Sequence, residues 1–276
     1  MGEGICVPAE NAGTRGKFGI RIKKREFSDS RQEPVMDIQT NRNYAVLTGD
    51  IIQSSKLSGA DKQKILSALK ALPDEIKRMF NRLYVSDQIE ILGPSIFRGD
   101  SWQMFLSEPG FALRTAFYLR AGLKALYRAD TRVAVGIGTV NTPLNNDLSQ
   151  AGGNAFRFSG IGLDELKTKE HMVCWFHEPS DKYKNRKDID FYYINRFLNS
   201  SLLFASRLAD GWSQHEAWAL LKALEGLKQG EIASQWLNGE KTTQQNAGKT
   251  LGRAGWAEIE HFLNLFRNYI CLIQPE

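Results

Sequence analysis

YAVLTGDIIQSSKL, residues Tyr44–Leu57, is where the patterned part of the chain opens. Its first six residues are a short apolar run with β-branched members, which predicts a buried strand over Tyr44–Gly49. Asp50 stands at the end of that strand. Downstream, Ile65, Leu69, Leu72, Ile76 and Phe80 recur every three or four residues between lysines, the signature of an amphipathic helix over Ser58–Leu83. Pro73 is expected to kink or split it. Ile89–Leu92 and Ser95–Leu106 then read as a hairpin turning at Arg98-Gly99-Asp100-Ser101. A second helix is expected over Phe111–Tyr127 and a fourth strand over Arg132–Val140 (RVAVGIGTV). A helix over Ala155–Lys167 and a strand over His171–His177 close the unit.

This order, β-α-β-β-α-β with an added α-β, is the ferredoxin-like or palm pattern, an α/β (α+β) unit assigned to residues 40–180. In such a sheet the first and third strands are antiparallel neighbours. Asp50, ending the first, and Asp100, beginning the third, therefore converge. Either aspartate alone reads as a turn residue. Two adjacent carboxylates repel unless a cation lies between them. Mg2+ or Mn2+ suits such oxygen ligands, keeps waters, and leaves room for nucleotide phosphates. A pair of ions there supports phosphoryl transfer from a nucleoside triphosphate. Lys56 and Arg98 flank the pair, as a phosphate clamp or as plain surface charge.

LTGDIIQSSKL, FRGDSWQMF, RVAVGIGTV and GGNAFRFSGIGLDEL, in that order, resemble the successive motifs of the bacterial SatD family. The resemblance implies kinship with class III nucleotidyl cyclases and, more distantly, with other palm domains. It makes Asp50 and Asp100 the metal-binding aspartates and has Gly49 and Gly99 let backbone approach phosphate. It also suggests a homodimer. The chain departs from the cyclase pattern where an Asn and an Arg four residues on stabilise the transition state: those places fall at Arg157 and Ile161. Asn154 and Arg157 fill the two roles only after a register shift. Losing such groups costs orders of magnitude in rate, so the departure bears on turnover more than on nucleotide binding.

Past Tyr183 the pattern turns helical, which places a boundary in Pro179–Lys187 and an all-helical unit over 188–276. Ala217, Leu220, Leu221 and Leu224 form a core-facing stripe over Ser213–Leu227. A short helix over Gln229–Leu237 is broken by Asn238-Gly239. Thr242 or Thr243 caps the next one, with Ala247, Leu251 and Ala254 on its inner face. This is a helix-turn-helix layout, and EIASQWL…TTQQNAGKTLGRAGW resembles the DNA-binding helix pair of SatD-like proteins. Thr243, Gln244, Gln245 and Lys249 then lie at the start of a recognition helix. The glutamines suit adenine, and Lys241, Lys249 and Arg253 suit phosphates. A plain helical packing or dimerisation module is the competing reading. From Ser201 onward seven Lys and Arg face eight Asp and Glu, and only Lys241–Arg253 is locally positive. The aromatic residues of this half, Trp212 to Phe266, sit at near-helical spacing and read as core.

The remainder of the chain narrows the classes. It has 276 residues, 42% hydrophobic and 24% charged, with a formal charge of +5. Those values suit a soluble globular protein and only permit nucleic-acid contact. No apolar run approaches the roughly 18–20 residues of a membrane span, and the N-terminus lacks a signal-peptide core. Three scattered cysteines and four unpaired histidines argue for a reducing cytoplasm and against zinc. Residues 1–39 are polar and expected to be disordered; their RIKKR cluster (Arg21–Arg25) reads as a solvated tail before a nucleic-acid arm. Met36 is a candidate true start of translation. The sequence thus points to a bacterial regulator in which a metal- and nucleotide-binding palm is coupled to a DNA-binding helix pair. A metal-dependent nucleotidyl cyclase or nucleotide-linking synthase, and a degenerate palm kept as scaffold, are the alternatives.

Overall fold

β1, Tyr44–Ile51, is the middle strand of the sheet and is buried along most of its length. The computed structural model describes residues 36–39, 41–84, 89–141, 144–166, 170–176 and 186–274. Around β1 stand β2 (Ile91–Phe97), β3 (Ser101–Leu106), β4 (Thr131–Gly138) and β5 (Met172–Trp175). Their spatial order is β2-β3-β1-β4-β5. All neighbours are antiparallel except β4 and β5, which are parallel. The strands are linked by α1 (Gly59–Tyr84) between β1 and β2, α2 (Ala112–Tyr127) between β3 and β4, and α3 (Asn154–Glu165) between β4 and β5.

The period-2 alternation of the strands sorts side chains into two layers. Ala45, Leu47, Trp102, Met104, Val133 and Val135 face α1 and α2 in the main apolar cluster. Tyr44, Val46 and Phe105 face the other way, toward Ala155 of α3 and Val140, Leu144 and Leu148. Helix α3 lies directly on the sheet because β4 carries Gly136: a Cβ there would sit 2.1 Å from the Ala155 carbonyl oxygen. α1 runs as one helix through Pro73, so the proline does not split it. A mid-helix proline costs about 3 kcal/mol. Six buried side chains, Ile65 to Phe80, offset that loss at about 1.5–3 kcal/mol each.

Five further helices follow: α4 (Arg186–Asp210), α5 (Gln214–Leu224), α6 (Gln229–Ser234), α7 (Gln244–Ala254) and α8 (Trp256–Leu272). They cover the outer side of α2, whose residues Ala112–Ala121 are all buried. One apolar cluster runs from the sheet through α2 into Leu202, Leu220, Leu224, Leu263 and Phe266. Trp212 and Trp236 are buried, as the core reading of the aromatics expects. α4 also closes the open edge of β5. Asn195 and Asn199 both donate to the Cys174 carbonyl, Asn199 accepts from the Cys174 N–H, and Asn195 accepts from the Phe176 N–H. At Cys174 and Phe176 this pairing takes up backbone groups that would otherwise be open to another strand.

Element ends differ from the sequence reading by a few residues, and two differences have clear causes. α6 stops at Ser234, and Leu237–Gly239 form a separate single turn broken by the left-handed Asn238. The chain is also ordered earlier than residue 40. Met36 pairs with Leu144, and Met36 and Ile38 pack on the Tyr44 cluster. Burying these two apolar side chains offsets the entropy of ordering the segment. Residues 1–35, with the RIKKR cluster, and most of the expected 179–187 boundary lie outside the described residues. Among those described, no helix is long and apolar enough to cross a membrane.

Candidate functional site

Strand pairing brings three charged residues to one corner of the sheet. On β1, Asp50 lies opposite Ser101 of β3 on one side and Arg132 of β4 on the other. Asp100 precedes Ser101, and its carbonyl accepts from the Ile51 N–H at 3.2 Å. The expected convergence of Asp50 and Asp100 is therefore present. So is a residue the sequence reading left in its strand: Arg132. Its Nε donates to Asp50 Oδ1 at 2.8 Å and its Nη2 donates to Oδ2, a two-pronged fork. The hydrogen bond to Asp50 does most to hold the Arg132 guanidinium protonated beyond its ordinary range. Burial opposes it, and the Asp50 and Asp100 charges add to it. Asp100 in turn accepts a hydrogen bond from the Ser54 hydroxyl.

The corner thus has a cation of its own. Its oxygens are hard donors of the kind Mg2+ or Mn2+ takes. Both Asp50 oxygens are engaged by Arg132, so an ion there would have to exchange with a guanidinium. Arg132 was legible in principle: β1 and β4 are antiparallel neighbours, so the start of β4 must face the end of β1.

The flanking residues divide. Arg98 and Gly99 form the hairpin turn, both with positive φ (51° and 85°), and both are exposed beside Asp100. Lys62 of α1 reaches this turn, its Nζ 3.5 Å from where a Gly99 Cβ would be. Lys56 is exposed in the turn after β1. It lines a cleft of ≈ 430 Å³ with Lys124, Arg128, Asp130 and Trp212. Gly49 is buried. A Cβ there would lie 2.3 Å from the Arg132 carbonyl oxygen and 2.5 Å from the Trp102 ring. Its bareness makes room for Trp102, whose Nε1 donates to Thr131 Oγ1 at 3.0 Å, rather than leaving space open to a ligand.

Asn154 and Arg157 are not part of this corner. Both sit at the start of α3, where Asn154 packs beside Gly138, and Gly138 pairs with Tyr44 at the opposite end of β1 from Asp50. Tyr44 and Asp50 are six residue steps apart along β1, roughly 20 Å. Arg157 donates to Asn154 Oδ1 at 3.4 Å and lies over the Phe158 ring.

A second charged cluster escaped the sequence reading. Arg120, on the fully buried side of α2, has no solvent exposure. It forks onto Asp130 (2.9 and 2.7 Å), donates to Asp210 Oδ1 at 2.7 Å and to Ser206 Oγ at 3.0 Å. His171 Nδ1 lies 2.6 Å from Asp210 Oδ1. Burial alone would raise the Asp210 pKa; the His171 and Arg120 hydrogen bonds overcome it and hold the carboxyl down at about 2. One ligand atom each from Asp130, His171 and Asp210 lie within 4.8 Å of one another, a group that could hold a metal ion. In the structure Arg120, with Lys124 on Asp130 and Arg207 on Asp210, supplies the positive charge there, and the network ties α2 and the sheet to the end of α4. Only the odd presence of an arginine in the apolar run of α2 hinted at it.

The helical half presents a third candidate surface. α5, α6 and α7 enclose a small core of Ala219, Ala223, Leu227, Ile232, Trp236, Ala247 and Leu251. α7 begins at Thr243, whose side chain accepts from the Asn246 N–H, as expected of an N-cap. Gly248 lets α6 approach closely: a Cβ there would meet the Gln229 side chain at 2.9 Å. Ala247, Thr250, Leu251 and Ala254 face inward. Lys241, Gln244, Gln245 and Lys249 are exposed. Arg253 is exposed too, but its Nε donates to Glu216 Oε1 at 3.2 Å, which turns it toward α5.

No protein-family model and no curated protein sequence matches the chain.

Proposed function

We propose that this chain is a DNA-binding regulator of SatD-like type, with α6 and α7 as a helix-turn-helix and α7 as its recognition helix. The observation that carries the reading is the outer face of α7. Gln244, Gln245 and Lys249 stand exposed on one side of a short, capped helix, with Lys241 just ahead. That window contains cations and amides and no carboxylate, the composition that contacts phosphates and base edges. The inner face is fixed by packing on α5 and α6, so the outer face needs no part in the fold.

Selection from a randomised duplex pool tests it. The expected outcome is an enriched motif, bound with a Kd that rises about tenfold or more for Gln244→Ala/Gln245→Ala at the preferred site. Lys249→Ala should weaken all sequences alike and lower the salt dependence. Salt-sensitive binding with no preferred sequence would overturn the reading.

A second reading concerns the sheet as a palm of nucleotidyl cyclase type. What favours it is the convergence of Asp50 and Asp100 with Arg132 at a corner flanked by Arg98 and Lys62. A nucleoside triphosphate with Mg2+ or Mn2+ would be held there by the two aspartates, with Arg132 turning from Asp50 to phosphate. Thermal-shift titration with the four nucleoside triphosphates and either metal, on wild type and Asp50→Asn/Asp100→Asn, is the check. A saturating ligand adds about 2.7 kcal/mol at a hundredfold excess over Kd. Metal-dependent stabilisation lost in the variant supports the reading; no shift with any of the four leaves the corner a structural ion pair.

A further inference from the structure

Helix α4 buries one side and leaves an apolar side bare. Leu202, Ala205 and Ala209 face the core. On the outside, Tyr193 is 62% exposed, Phe197 79%, Phe204 75% and Leu208 41%, with Ile194 and Leu203 at the margins. At 100° per residue the first four fall in one strip about 60° wide. Ser200 and Ser201 fall in or beside the same strip, and both side chains fold back onto their own helix, donating to the Arg196 and Phe197 carbonyls.

The spacing of this strip is a palindrome. Phe197 and Phe204 are equidistant from the midpoint between Ser200 and Ser201, and so are Tyr193 and Leu208. A two-fold axis perpendicular to a helix pairs residues whose numbers have a constant sum. Set through that midpoint, it seats Phe197 of one copy against Phe204 of the other, and Tyr193 against Leu208. The small serines lie where the helices cross and let them approach. Antiparallel pairing is also the favourable sense for the two helix dipoles.

We infer that α4 is a self-association surface, and that its occupant is the α4 of a second copy of this chain, antiparallel and centred on Ser200/Ser201. The area agrees. Three largely exposed aromatics and three half-exposed aliphatics amount to roughly 600 Å² of apolar surface, at the upper limit for a monomer's largest patch. With a polar rim this reaches the ~800 Å² per partner of a stable interface. The inference does not depend on DNA or nucleotide binding.

Sedimentation of the full chain from about 1 to 100 μM is the test. The wild type is expected to dimerise. Phe197→Glu and Phe204→Glu are each expected to weaken the dimer by roughly 100-fold or more, because each substitution occurs twice across a two-fold axis. Leu126→Glu, at an exposed leucine on α2, should leave it intact. The register has its own readout: Phe197→Lys/Phe204→Glu should recover the dimer that either single change loses. Ser201→Cys, with Cys6 and Cys271 replaced by serine, should oxidise to a disulfide-linked dimer. A monomer throughout the range overturns the inference and leaves the strip to another occupant. A dimer indifferent to both phenylalanine substitutions overturns it as well.

Discussion

The two aspartate–arginine clusters of this protein use the same chemistry in different surroundings. At the sheet corner one fork joins Arg132 to Asp50, with Asp100 nearby; the side chains are 31% and 20% exposed. Behind the sheet, Arg120 is wholly buried and is shared by Asp130, Asp210 and Ser206. A guanidinium at a wet corner can trade one anion for another at small cost, because water compensates the exchange. A buried one cannot, because leaving either partner uncompensated in low dielectric is expensive. Cluster composition therefore does not separate ligand site from brace; burial and the number of partners do. By that criterion the corner is the place to test for the proposed ligand, and the Arg120 network holds α2, the sheet and α4 together.

The sharpest break of this comparison is Arg120→Met. It removes the buried guanidinium that Asp130 and Asp210 share, leaving them only Lys124 and Arg207 at their edges, and should cost about 3–5 kcal/mol, read as a fall in the urea midpoint. Gly49→Ala comes next. The new Cβ meets backbone and the Trp102 ring, neither of which can give way, so about 1–3 kcal/mol of overpacking is expected in the same assay. Asp210 supplies a pH test. Its folded pKa, about 2, is below the ordinary 3.8, so its stabilisation is present above that ordinary value and is lost as pH falls through 2. Asp210→Asn should flatten this acid limb and cost about 1–2 kcal/mol at neutral pH after solvent screening. The smallest effect belongs to Asp50→Asn, about 0.5–1 kcal/mol as expected for a partly exposed pair. A loss there as large as that of Arg120→Met would erase the distinction between corner and brace.

Much of the sheet was legible because its strands are apolar runs bounded by turn formers, and because strand order follows from connectivity. Asp50 and Asp100 could be placed together on that basis alone. Arg132 could not be paired without the β1–β4 register, which sets Asp50 opposite it across eighty-two positions. Arg120 was hidden for another reason. In RTAFYLRAGL a charged residue signals a solvated helix face, and only the covering of α2 by the sheet and by α4 and α5 turns that face inward. The α4 strip was hidden for a related reason: which face of a helix is covered depends on the layers stacked around it, and the fold leaves this apolar one outside.

Periodicity and turn chemistry are local, so residue pattern was enough for the kinds and order of elements, the inward faces of α1, α5 and α7, the cap at Thr243, and the end of the sheet to which the two aspartates belong. Tertiary structure alone decided which charges meet, which arginine is dry, and which apolar face lacks a cover. Those are properties of register and of layers stacked from distant segments. Their energies depend on what surrounds a side chain more than on what precedes it.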